Sequence, residues 1–210
     1  MKTALIVVDV QNDFTEGGSL PVTGGGDVAA GITAFLDAHR ALFALVCASQ
    51  DWHVPDSTNG GHFPPPGEEP NFRTTWPLHC IEETQGAQFH PALDTRHIDV
   101  DVKKGIGAPA YSAFQGETAD GTSLTDVLAA RGITDLVVCG LATDYCVQQT
   151  VLDACSHKYP VTMLRDLSAG VAPDTTTQAL AKMATAGAHV TTSTEYVATM
   201  PTHDDDDARR

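Results

Sequence analysis

The stretch Leu136-Val-Val-Cys-Gly-Leu-Ala-Thr-Asp-Tyr-Cys146 passes from an apolar run, through a tight connection, into the start of a helical pattern. Leu136 to Gly140 is apolar on both faces, as expected of a strand covered by helices on either side. The helical pattern runs from Asp144 to His157 and puts Cys146 in its first turn. The same alternation extends outward in both directions. Leu5 to Val8, Ala44 to Ser49, Ile98 to Val102 and Val161 to Leu164 read as strands, with His189 to Thr192 a weaker sixth. Asp27 to Arg40, Ser123 to Arg131 and Thr175 to Ala186 fit amphipathic helices, with Asp27 and Ser123 as N-caps and Gly132 and Gly187 as stops. The repeated β-α-β order predicts an α/β fold: a doubly wound, Rossmann-like three-layer α/β/α sandwich around a mainly parallel sheet of about six strands.

The 210 residues carry 12 Lys+Arg against 27 Asp+Glu, a formal charge of −15, and 42% are hydrophobic. Such a chain can bury a core, and residues 1–202 read as one domain. The acidity excludes a nucleic-acid partner, which needs clustered Lys and Arg. No apolar run approaches the ~20 residues of a membrane-spanning helix, so no membrane partner is expected. Leu5-Ile-Val-Val8 is too short for a signal-peptide core and stops at Asp9, which points to the reducing cytoplasm. The five cysteines (Cys47, Cys80, Cys139, Cys146, Cys155) form no CxxC pair, so a zinc-finger reading fails. Residues 52–91 hold most of the prolines and no periodicity, and a connection of that length usually serves function. His203 to Arg210 reads as a flexible, solvated acidic tail.

In open parallel sheets ligands collect beyond the carboxyl ends of the strands. Reading past successive strands gives Asp9, then Asp51 and His53, then Lys104, then Cys146. Asp9 is either a strand-ending cap or a desolvated acid/base with a raised pKa, and Asp13 is the weaker candidate. Asp51-Trp-His53, His62 and Trp76-Pro-Leu-His79 supply a carboxylate and imidazoles suited to a divalent metal. His39, His90, His97, His157, His189 and His203 read as surface or packing residues. Amides at a helix start would lower the Cys146 thiol pKa and could donate to an oxyanion. Cys47, Cys139 and Cys155 read as packing, and Cys80 as packing or a ligand. Strand alternation sends Lys103 and Lys104 to opposite faces, and spacing alone does not choose between them.

With these residues in view, the sequence resembles the isochorismatase-like cysteine hydrolases, and within them the nicotinamidase (pyrazinamidase) branch. The matching segments are Val8-Asp-Val-Gln-Asn-Asp-Phe14 with Gly17-Gly-Ser-Leu20, Asp51-Trp-His53, His62-Phe63, Trp76-Pro-Leu-His-Cys80, Lys104-Gly105, Ala110-Tyr-Ser112 and Gly140-Leu-Ala-Thr-Asp-Tyr-Cys-Val147. The resemblance implies a catalytic triad of Asp9, Lys104 and Cys146. It also implies one divalent ion, zinc first with iron and manganese as alternatives, on Asp51, His53 and His79, with His62 at the place of an additional ligand. Ala142 and Cys146 would form an oxyanion hole after a cis Leu141-Ala142 bond, and Phe14, Trp76, Tyr111 and Leu141 would enclose the substrate ring. The implied partner is nicotinamide, cleaved to nicotinate and ammonia through a thioester, with pyrazinamide cleaved alike. The family includes monomers and assemblies, so a homo-oligomer fits it equally. Two other readings are a relative acting on another small amide (a carbamoyl or ureido compound) and a non-catalytic metal- or ligand-binding protein on the same fold.

Overall fold

The computed structural model describes residues 2–200; the segment 203–210, expected as an acidic tail, lies outside the described residues. Six strands form one sheet: β1 (Thr3–Val8), β2 (Leu45–Asp51), β3 (Val100–Lys104), β4 (Asp135–Leu141), β5 (Val161–Ala169) and β6 (His189–Thr191). Their order is β3-β2-β1-β4-β5-β6, and every neighbouring pair is parallel. Among the described residues five α-helices accompany them: α1 (Gly25–His39), α2 (Leu124–Arg131), α3 (Gln148–Ser156), α4 (Pro173–Thr185) and α5 (Ser193–Ala198).

Strand alternation explains the three layers. Leu5, Val7, Val46, Val137 and Cys139 meet Ile32 and Leu36 of α1 and Tyr196 of α5 on one face. Ala4, Ile6, Val8, Leu136 and Val138 meet Leu128 of α2, Val151 of α3 and Met183 of α4 on the other. Both faces are apolar because both are covered. No helix among the described residues is long and apolar enough to cross a membrane.

Several boundaries differ from the sequence expectation. Helix α1 starts at Gly25, so Asp27 lies within its first turn and is not the cap. The role is taken from a distance by Glu16, whose carboxylate accepts from Gly24 N–H (2.5 Å) and Gly26 N–H (3.0 Å). Ser123 does cap α2, and Gly132 ends it in the left-handed region at φ 64°. The helix expected from Asp144 begins instead with a wide π turn, Thr143–Val147, before α3 takes over. Helix α5 was not expected, although Thr192 and Glu195 form the reciprocal cap that marks a helix start.

The sheet order reverses between β1 and β4, the switch point where doubly wound folds bind ligands. There Val8 is paired with Gly140. Gly140 has φ 115°, and a Cβ on it would lie 2.2 Å from the Val8 carbonyl oxygen. Gly140→Ala is therefore expected to lower unfolding stability by about 2 kcal/mol or more, since overpacking and a forbidden backbone region add. An unchanged urea midpoint would contradict this close approach.

Candidate active site

The carboxyl ends of β1, β2, β3 and β4 converge on one floor. Asp51 and Lys104 are paired across β2 and β3, so they share a face. Lys104 is fully buried, and its Nζ touches Asp51 Oδ1, lies 2.9 Å from Asp9 Oδ2 and 3.6 Å from Cys146 Sγ. Carboxylate oxygens of Asp9 and Asp51 and the Cys146 sulfur all lie within 4.8 Å of one another. Asp9 sits at φ 48°, a conformation uncommon outside glycine, and Ser49 Oγ donates to its Oδ1 at 2.7 Å. Lys103 points to the opposite face, with its Nζ 3.4 Å from the centre of the Trp52 ring.

Burial and ion pairing oppose each other here, and the balance differs from group to group. Burial alone would lower the Lys104 pKa, but Asp51 and Asp9 outweigh it and hold the ammonium well above its usual range. Burial raises Asp51 too, yet Lys104 and the neighbouring imidazoles bring it well below the carboxylate range. Asp9 is raised, because its complete burial exceeds the pull of Lys104. Burial also raises the Cys146 thiol well above its ordinary value, with Lys104 opposing and both carboxylates adding to the rise. This corrects the expectation of a thiol acidified at a helix start: Cys146 lies in the π turn beneath the surface, facing two carboxylates. Its proton needs a base, and Asp9 is the raised carboxylate beside it.

Asp51 faces a second group with its other oxygen. Asp51 Oδ2 is 3.7 Å from both His53 Nε2 and His79 Nε2. His62 Nε2 is 3.4 Å from His79 Nε2. The opposite nitrogens are fixed by backbone carbonyls: His53 Nδ1–H donates to Gly105 O (2.9 Å) and His79 Nδ1–H to Pro77 O (2.7 Å). That tautomer leaves both Nε2 lone pairs aimed inward. His53 Nε2 and His62 Nδ1 are buried with no hydrogen-bond partner. Burial and the two other imidazoles pull His62 down to about 3, so it stays neutral as a ligand must. Nitrogens ~2.0–2.1 Å from one tetrahedral ion are about 3.4 Å apart, which matches this spacing. The donor set thus fits a divalent ion.

The long connection after β2 delivers these histidines, and buried polar side chains brace it. Asn59 Oδ1 accepts from Val54 N–H (2.9 Å) and Gly107 N–H (3.1 Å), while its Nδ2 donates to Val54 O (2.9 Å). Gln11 closes a two-way bond with the Asp51 backbone, donating to its carbonyl (2.8 Å) and accepting from its N–H (2.9 Å). Asp13 accepts from Cys80 N–H at 2.7 Å and from Ser19 N–H at 3.2 Å, so it supports the loop and does not face the cavity floor. Gly105 admits no side chain: a Cβ would lie 2.6 Å from His53 Cε1. Gln11, Asn59 and Gly105 were not singled out from sequence as bracing residues. The signal available for Gln11 was an amide side chain in the segment just after an apolar strand, two residues from Asp9.

Above the floor opens a cavity of about 430 Å³, lined by Cys146, Asp51, His62 and His79 below and by Phe14, Trp76, Tyr111, Tyr145 and Ala142 around them. Trp76 Nε1–H donates to Tyr111 Oη at 3.0 Å, and Tyr145 meets the Trp76 ring edge-on at 5.1 Å. The Leu141–Ala142 peptide is cis. Leu141 itself, expected beside a substrate, points into the core against the α1 layer, following its strand's alternation with Val137 and Cys139; Ala142 lines the cavity in its place. Cys80 is buried in that core at φ 47° and outside the histidine cluster, and burial pushes its thiol up. Cys47 and Cys139 are buried in the sheet, and burial raises the Cys47 thiol to about 12. Cys155 is only partly buried. His97 pairs with Asp37 at 2.8 Å, far from this chemistry in the fold.

The isochorismatase domain family matches residues 3–195. The nicotinamidase/pyrazinamidase of Mycobacterium tuberculosis is 45% identical over 190 residues, covering 90% of this chain and 98% of its own. The solved PnC1 protein of L. infantum, in complex with nicotinate, superposes with a TM-score of 0.77 at 32% identity, over 92% of this chain and 93% of that one. The pyrazinamidase of Pyrococcus horikoshii, in complex with zinc, gives 0.74 at 32% identity, over 91% of this chain and 99% of that one.

The ion trio makes a prediction independent of activity. Lys104→Met removes the only cation between two buried carboxylates among the described residues, and breaking a buried pair this way costs about 3–5 kcal/mol. Denaturant unfolding at neutral pH checks it; a loss below ~1 kcal/mol would mean the charges are more hydrated than their burial indicates.

Proposed function

The chain belongs to the isochorismatase family, and we propose that it is a nicotinamidase, hydrolysing nicotinamide to nicotinate and ammonia and pyrazinamide in the same manner. The observation that carries this reading is the double duty of Asp51, whose Oδ1 faces Lys104 and whose Oδ2 faces His53 and His79. One carboxylate joins a cluster suited to a ring nitrogen to a thiol suited to a carboxamide. Asp51, His53, His79 and His62 would hold one divalent ion, zinc by preference with iron and manganese also suited, and the ion would act as a Lewis acid for the pyridine nitrogen. Phe14, Trp76 and Tyr111 provide apolar walls for the ring.

Chemistry then runs on the chain's own residues. Asp9 takes the proton from the Cys146 thiol, and the sulfur attacks the carboxamide carbon. Lys104 stays charged beside them, balancing the thiolate as it forms. The backbone N–H groups of Ala142 and Cys146 are the proposed donors to the carbonyl oxygen as it becomes negative. The C–N bond breaks as Asp9 returns the proton to nitrogen, which leaves as ammonia with a thioester behind it. Water attacks the thioester carbon and gives a proton to Asp9. The C–S bond breaks, Cys146 recovers its proton from Asp9, and nicotinic acid departs. Holding ring and carboxamide over the sulfur would supply up to about 7–11 kcal/mol of the barrier reduction.

Two outcomes follow from these roles. Cys146→Ala should abolish ammonia release from nicotinamide, as loss of a covalent nucleophile does; turnover near the wild-type rate would remove Cys146 from its role. Gly105→Ala should weaken divalent-ion binding roughly 10–100-fold by displacing His53, read by metal titration with elemental analysis. An unchanged affinity would show that His53 is not a ligand.

A further inference from the structure

The cavity extends beyond what the reaction uses. Its volume of about 430 Å³ falls within the ~300–1,000 Å³ typical of sites for drug-sized ligands, whereas nicotinamide is one ring with one carboxamide. At the mouth stand Phe72 and Val171, 57% and 50% exposed, both lining the cavity. Scattered exposed apolar residues need no explanation. These two are held in place.

Phe72 has φ 54°, a backbone region bulky residues rarely enter. Asn71 enforces it: its Oδ1 accepts from the N–H groups of Arg73 (2.8 Å), Thr74 (2.8 Å) and Thr75 (3.2 Å), and Phe72 N–H donates to Thr75 O (3.0 Å). The Phe72 ring meets the Trp76 wall edge-on at 6.4 Å. Val171 N–H donates at 2.9 Å to Asp144 Oδ1, a carboxylate on the same turn as Cys146. Leu20 and Pro21 also line the cavity, with the small hydroxyl of Ser19 beside them. The collar is apolar, pre-set and continuous with the walls around the substrate ring.

We propose that this collar is a specificity subsite for an apolar substituent at carbon 5 of the substrate's pyridine ring. The inference rests on the functional reading above. With the ring nitrogen at the histidine cluster and the carboxamide at Cys146, both on the floor, carbon 2 between them faces inward. Carbon 5 lies across the ring from carbon 2 and faces the mouth. A substituent there leaves the reacting bonds untouched: the same C–N bond breaks, ammonia leaves, and water supplies the oxygen. It acts through binding shared by ground and transition states, so it lowers KM and leaves kcat unchanged.

The test compares nicotinamide with its 5-methyl, 5-ethyl and 5-propyl derivatives in turnover, and the matching 5-alkylnicotinic acids in calorimetric binding. Wild type, Phe72→Ala and Val171→Ser are measured side by side as metal-loaded full-length chains. In the wild type, KM and Kd should fall about two- to fourfold per added methylene, and either variant should flatten that slope. A flat or rising wild-type series, with nicotinamide itself turned over, overturns the subsite. So does a falling series that neither variant flattens. If the acids show the falling series and the variants flatten it, but nicotinamide is not hydrolysed, the subsite stands and the functional reading fails.

Discussion

The buried ammonium of Lys104 is the interaction on which the site depends. A lone charge at that depth would be prohibitively costly, so its three neighbours are obligatory. It sets Asp9 beside the thiol, fixes one oxygen of Asp51, and thereby leaves the other oxygen for the histidines. The parallel register that pairs Asp51 with Lys104 makes this contact a property of the sheet. Alternation sends the neighbouring Lys103 to the Trp52 ring on the other face, so only one lysine of the pair can serve.

Charge balance then shapes the proposed chemistry. Burial raises both Asp9 and Cys146, which favours a thiol that gives up its proton to a carboxylate beside it, the step proposed for Asp9. That differs from a thiolate standing at an exposed helix end. The π turn carries Cys146 to a buried position facing Asp9 and Asp51, and burial together with those carboxylates raises the thiol against the pull of Lys104. Thr150, donating to the Cys146 carbonyl at 2.7 Å and accepting from Ala113 N–H at 2.9 Å, ties this turn to the segment that carries Tyr111.

The sheet and most helices were legible because apolar runs covered on both faces and 3.6-residue patterns are local signals. The juxtaposition of Asp9, Asp51, Lys104 and Cys146 followed from one topological rule about strand ends. What could not be read was set by distant partners. Glu16 caps α1 across eight residues, which no local pattern around Asp27 reveals. Leu141 was expected beside the substrate, but strand alternation carried it into the core. The resemblance placed His62 as an additional ligand, but nothing local shows how a long loop brings it there: Asn59, buried within that loop, bonds Val54 and Gly107, and His62 Nε2 comes to 3.4 Å from His79 Nε2. Residues such as Asn59 and Gly105 act through what they hold, so their types alone carried little information.

In the proposed reaction one sulfur, that of Cys146, does the covalent work beside Lys104. Quenching the enzyme in acid during turnover of nicotinamide, followed by peptide mass spectrometry, tests it most directly. A nicotinoyl thioester is expected on the peptide containing Cys146, formed as the first ammonia is released. An adduct on any other residue, or ammonia release with Cys146 unmodified throughout the first turnover, would contradict it.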